Sequence, residues 1–433
     1  MAPASDSVRD AAREFAVRFV EESFADAVDL FSEDGRGAVV ESYPDGFQRG
    51  EMDAADALEQ YWYGLYGQYG DFEGVGGVDA DGSEVTVELS FADGSHPLEL
   101  SFADGDIADV ALPSEYSPPA YADEDAFTER DVTVDAGDVE LGGVLAVPDG
   151  DGPFPGVVLV HGAGIHDPDG TAGESKILKD FAWGLASQGV ATLRYEKRLR
   201  DHDVETEDYT LDTVVVDDAV AAVDELADAD SVDEDGVFVA GHSQGGMAAP
   251  RVADEHGGVA GVVSLDGAAD NELDEDDLSV PFIRYSIDPE GDLTEEQEEQ
   301  VEAQREEFRR LAAGELDPDE EFMGKPARWF ESVQEYHPAG TAADLDAPTF
   351  VAKAGRVAED VQPEIAEFHQ ERLDEWQSTD LPEGSRVEFY GDVGHYFQEG
   401  YEPTTMAHLA FADNVEAYVV DDVADWVREV ADA

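Results

Sequence analysis

A short apolar run, Val237, Phe238, Val239 and Ala240, leads straight into Gly241-His242-Ser243-Gln244-Gly245-Gly246, and a helix-compatible stretch follows. Strand, sharp turn and helix is the context in which a G-x-S-x-G segment presents its serine. The turn is so tight that residues two before and two after the serine can carry almost no side chain. Gly241 and Gly245 meet that demand, and the strained turn leaves the Ser243 hydroxyl exposed above a sheet. Over five residues, a glycine-rich turn whose serine only caps the next helix would look the same. The surrounding pattern separates the two.

From residue 131 onward, apolar runs alternate with helical periodicity. Residues 156–160 are continuously apolar, as a buried parallel strand requires. Residues 175–188 place Ile177, Leu178, Phe181, Ala182 and Leu185 on one helical face. Further strands are expected at 190–195, 237–240, 258–265, 349–352 and 386–390. Helices are expected at 211–227 and 363–376, with helical segments over 407–430. This order specifies an α/β fold with a doubly wound, mostly parallel sheet. About eighty residues between Leu265 and Thr349 exceed any simple connection. They carry a Glu- and Arg-rich helix and the aromatics Phe322, Trp329, Phe330 and Tyr336. An insertion at about 267–346 would lie over the elbow as a helical cap and wall a pocket.

Ahead of this region the pattern differs. Residues 6–32 and 54–69 show helical spacing, the latter with Leu58, Tyr61, Trp62 and Leu65 on one face. From Phe72 the period becomes two, and Ser-Phe-Ala-Asp-Gly occurs at 90–94 and again at 101–105, each copy ending a strand with a turn signal. Helices followed by an antiparallel sheet make residues 1–111 a small α+β domain. The proline- and acid-rich stretch 112–130 is the linker, and 131–433 is the second domain with its insertion.

The charge balance is extreme. The 433 residues include 105 Asp plus Glu against 24 Lys plus Arg, a formal net charge of -81, yet 42% are hydrophobic and the acids are spread throughout. The chain can bury a core, but in dilute buffer its self-repulsion is severe, and concentrated salt would screen it. Nucleic acid is excluded as a partner for want of clustered basic surface. With no cysteine, disulfides, thiolate metal sites and a cysteine nucleophile are excluded too. No stretch approaches a membrane span and no apolar signal core stands at the start, so a cytoplasmic location is expected.

A serine hydroxyl needs a base to take its proton, a carboxylate to hold that base, and donors for the developing oxyanion. His395 follows the strand at 386–390 and a glycine-containing loop, which puts it on the same sheet rim as the elbow. His161-Gly162-Ala163-Gly164 ends the strand at 156–160 in flexible backbone, where the Ala163 N–H would pair with that of Gln244. No metal or organic cofactor is called for.

These marks, with Arg194-Tyr195-Glu196-Lys197-Arg198 after the second long strand, give residues 130–433 a strong resemblance to the α/β-hydrolase superfamily, closest to its serine esterases and dienelactone-hydrolase-like members. The resemblance implies Ser243 as nucleophile, His395 as base, Gln244 and Ala163 as oxyanion donors, and a small-molecule ester as substrate. The acid departs from the family's pattern, because Val357 stands where an Asp is usual. Asp360 is favoured in its place, with Glu359 and Asp266 as alternatives. The first domain resembles the cone-shaped fold of nuclear transport factor two, and the composition resembles haloarchaeal proteins. Two rivals remain: a peptidase or amidase of the same fold, and a binding protein with a degenerate triad.

Overall fold

The computed structural model describes residues 5–43, 52–271, 279–403 and 405–432. Two sheets organise it. The first is an antiparallel meander of β1 (Phe72–Asp81), β2 (Glu84–Phe91), β3 (Gly94–Ala103) and β4 (Asp106–Ala111). Burial alternates along β2 and β3, so one face is dry. It packs against α1 (Ser5–Val20), α2 (Phe24–Val28), α3 (Glu33–Ser42) and α4 (Ala54–Tyr69), with Phe15, Phe19 and Trp62 in the shared core. Asp53 starts α4 with a reciprocal capping box to Asp56. The repeated Asp-Gly turns fall between β2 and β3 and between β3 and β4, where Gly94 and Gly105 take positive φ.

The second sheet has eight strands. In chain order they are β5 (Phe127–Asp135), β6 (Glu140–Pro148), β7 (Phe154–Val160), β8 (Ala191–Tyr195), β9 (Val232–His242), β10 (Gly261–Leu265), β11 (Thr349–Ala354) and β12 (Arg386–Tyr390), and across the sheet they run β12-β11-β10-β9-β7-β8-β6-β5. β6 pairs antiparallel with both β8 and β5, and the other neighbours are parallel. Buried on both faces, β7 is continuously apolar over residues 156–160, as expected, while the equally buried β8 and β10 also carry Thr192, Arg194 and Ser264. Helices α5 (Ile177–Ser187) and α13 (Ala417–Ala431) cover one face, where Phe238 and Trp426 meet edge to face at 5.7 Å. Helices α6 (Asp217–Ala227) and α7 (Gln244–His256) cover the other.

Register sets the rim. Val160 pairs with Gly241, His242 with Leu265, and Leu265 with Ala352, so the residues that follow each of these strands emerge side by side. Over this rim lie α8 (Ser279–Ile287), α9 (Glu295–Ala312), α10 (Ala327–Gln334) and α11 (Pro338–Asp344) of the insertion, with α12 (Pro363–Ser378) beside them. Phe322 packs inside the insertion against Phe308, and the Tyr336 hydroxyl donates to Met247 O at 3.0 Å, pinning the insertion to α7.

The two sheets do not merely share a chain. Helix α4 lies along the turn Met406–Ala410, and Phe411 is fully buried in the first core, 5.0 Å from the His96 ring and 6.4 Å from Tyr61. The Tyr66 hydroxyl donates to Glu402 O at 2.7 Å, and Tyr401 N donates to Gly67 O at 2.9 Å. Part of the tyrosine cluster therefore docks one body on the other, while Tyr61 and Trp62 fill the first core.

Candidate active site

Ser243 sits at φ 54° and ψ -116°, between the end of β9 and the first residue of α7. That conformation is strained for a residue with a side chain. Neighbouring glycines make it possible. A Cβ on Gly241 would fall 2.1 Å from Gly245 O, and one on Gly245 would fall 2.4 Å from Val160 O. Ser243 N donates to Leu265 O at 2.8 Å, tying the turn to the adjacent strand. The loop after β7 passes alongside, so that a Cβ on Gly162 would lie 3.4 Å from Ser243 Cβ. Among the described residues no acceptor takes the N–H of Gln244 or of Ala163.

His395 shares a cavity of about 480 Å³ with Ser243. Its Nδ1 hydrogen-bonds the carboxylate of Asp266, the residue that follows β10. The geometry brings Asp266, one of the three candidate acids, to His395, and not the favoured Asp360. Asp360 is exposed in the loop after β11, as is Glu359, whereas Asp266 is buried on the rim beside the elbow. Asp266 takes φ 51°, its N donates to Ala352 O at 2.8 Å, and its Oδ1 receives Ala354 N at 3.3 Å and forms an ion pair with Lys353. Burial works against its charge, but the Lys353 ammonium and the His395 hydrogen bond outweigh this and hold the carboxyl well below the usual range. An ionised carboxylate only accepts, so His395 Nδ1 donates to it, and in the neutral ring Nε2 carries the lone pair. His242 points away from Ser243 and donates from Nε2 to His395 O at 2.9 Å, bracing the histidine's backbone.

Lys353 was not anticipated, although a lone lysine in an otherwise apolar strand of a lysine-poor chain was a usable signal. His369 on α12 was also unforeseen. It lines the cavity, where burial pushes it down to about 4. Most of the remaining wall is apolar, with Phe282, Tyr285, Trp329, Phe330, Val333 and Phe368, while Arg356, Gln362, Arg372, Thr405 and His408 are polar members of the lining. Thus Trp329 and Phe330, of the insertion's four expected aromatics, face the site.

A family profile described as alpha/beta hydrolase matches residues 157–409. The chain belongs to the alpha/beta hydrolase family. Esterase EstD of Thermotoga maritima is 32% identical over 386 residues, covering 86% of this chain and 87% of that protein. A span that long takes in part of the helices and sheet ahead of β5, so this alpha/beta hydrolase shares more than its catalytic fold with that relative. Among solved structures, the esterase of the archaeon Pyrobaculum calidifontis matches at 18% identity, 71% of this chain and 87% of that one, with a TM-score of 0.45. A bacterial brefeldin A esterase matches at 18% identity, 74% and 81%, with a TM-score of 0.44.

Proposed function

We propose that this alpha/beta hydrolase cleaves carboxylic esters by acyl transfer through Ser243, His395 and Asp266. The observation that carries the reading is the pairing of His395 with a buried, lysine-held carboxylate, in one cavity with a serine on a strained elbow. Ser243 Oγ attacks the ester carbonyl and its proton passes to Nε2 of His395. The N–H groups of Gln244 and Ala163 receive the oxyanion. The C–O bond to the alcohol then breaks as His395 returns the proton to the leaving oxygen. Water, deprotonated by His395, attacks the acyl-enzyme and releases the acid and free Ser243. Asp266 keeps the imidazole in the required tautomer and offsets its positive charge.

Similarity to a named esterase supports an ester over an amide. With Asp266 in the acid's place, Val357 no longer argues for a degenerate triad. The acidic composition fits an enzyme working in the concentrated salt of a haloarchaeal-type cytoplasm. The helices-then-sheet order of the first body fits a nuclear-transport-factor-two-like fold. A fluorophosphonate probe in molar potassium chloride tests the reading. The parent should be labelled and Ser243→Ala should not, with ester hydrolysis lost in parallel. A folded parent that is neither labelled nor hydrolytic would overturn it.

A further inference from the structure

A second cavity of about 430 Å³ opens on the other side of Gln244 and Trp329, both of which also line the first. Its character is different. Lys197, buried at 4% exposure, and Lys325, on the short hairpin of the insertion, both line it. Lys197 Nζ donates to Gly162 O at 2.7 Å and to Gln244 Oε1 at 2.8 Å, so its charge lies beside the elbow. Lys325 Nζ sits 4.6 Å above the Trp329 ring. Among the described residues neither ammonium forms an ion pair, in a chain with 105 acidic side chains and only five lysines. The carboxylate that lines this cavity, Asp203, lies exposed, as expected at its mouth.

We propose that this cavity is an anion arm of the active site, in which Lys197 and Lys325 receive a carboxylate carried on one side of the ester. The inference rests on the ester-hydrolase reading and narrows its substrate class. Two lysines gathered in a partly dry space without a counter-charge are costly. Burial, aided by the Lys325 charge, pushes Lys197 down to about 7, and burial pushes Lys325 down to about 8. A bound carboxylate supplies the missing partner to both. In concentrated salt only charges at contact range act strongly on a substrate, and a partly buried cationic pair is the place where a carboxylate would be held. The preferred ester then has an apolar half for the aromatic cavity and an anionic half for the lysines, with its carbonyl between them at Ser243.

Two matched pairs of esters test this at a salt concentration where the enzyme is folded. 4-Nitrophenyl hydrogen adipate against 4-nitrophenyl 6-methylheptanoate exchanges carboxylate for isopropyl on the acyl side. 4-Acetoxybenzoate against 4-isopropylphenyl acetate does so on the alcohol side. In Lys325→Met the ratio of kcat/KM for the anionic ester to that for its neutral partner should fall about tenfold or more in one pair. Lys325→Arg should retain most of that ratio. Ratios unchanged by Lys325→Met in both pairs, with hydrolysis intact, would overturn the anion arm alone. Failure of the parent to hydrolyse any of the four esters, together with no fluorophosphonate labelling, would overturn the ester reading, and the anion arm with it.

Discussion

Asp266 and Asp360 give the sharpest contrast between single residues. Asp266→Asn should lower kcat by about a thousandfold or more, because an amide can present its NH2 group to His395 and select the wrong tautomer. Asp360→Asn, at an exposed loop position, should leave kcat within about twofold. Steady-state kinetics on one ester decides between them. That Ser243 and His395 come to one candidate site was legible, because the elbow's glycines and the end-of-strand histidine are rare patterns. The carboxylate that meets His395 was not, since one carboxylate gives no contrast among 105. The register of β10 against β11, which a linear pattern does not contain, brings Asp266 to Lys353 and the rim. His242 makes a further prediction. Burial pushes it from an ordinary 6.5 to about 3, so it stays neutral in the folded protein while the unfolded chain takes up a proton below 6.5. Its contribution is therefore complete above that pH and is lost as pH falls toward 3. Compared with His242→Gln, which retains an N–H donor for His395 O, the parent should lose about 1.4 kcal/mol of relative stability per pH unit in that window. Denaturant unfolding at several pH values reads the difference.

At the level of elements, the contact between α4 and the turn Met406–Ala410 bears on the site, because Thr405, Met406 and His408 line the first cavity. Gly64 permits that contact. A Cβ there would fall 2.6 Å from Ala407 O and 2.7 Å from the Phe411 ring. Gly64→Val should cost about 1–3 kcal/mol by overpacking and raise KM as the turn is pushed from the cavity, measurable by thermal unfolding and ester kinetics. Strand and helix order was readable from periodicity, and α4 and β12 fall where spacing put them. Helix α3 was not readable, since Gly35 and Gly37 weaken its pattern. Its start depends on the Ser32 cap and on Gly35 lying against Ile107 O. The closing stretch 407–430 was expected to carry helical segments, and it does: a short helical turn ends at Ala410, Phe411 turns into the other core, and α13 starts at Ala417.

For the whole molecule, charge is the governing quantity. Among the described residues only Asp180, Asp218 and Asp266 are buried carboxylates, and each is bonded: Asp180 to Tyr116 and Asn414, Asp218 to Arg198, and Asp266 to Lys353 and His395. The remaining described acids are at least partly exposed to water and repel one another. Lowering potassium chloride from about 3 M to about 0.1 M lengthens the screening distance from a few ångströms to about 10 Å and should lower the melting temperature steeply. A melting temperature indifferent to salt over that range would contradict the role assigned to this charge. Composition alone leads to this expectation, and the fold adds only which described carboxylates are buried.

The burial of Phe411 among the helices of the first body has a consequence for how the protein is made. Residues 5–111 leave the ribosome before the second sheet does, and a body so placed would ordinarily fold while synthesis continues. Here one of its central rings belongs to residue 411 of 433. That core lacks one of its rings until residue 411 has been made and released to it, so the first body reaches its final packing only together with a segment three hundred positions downstream of Ala111.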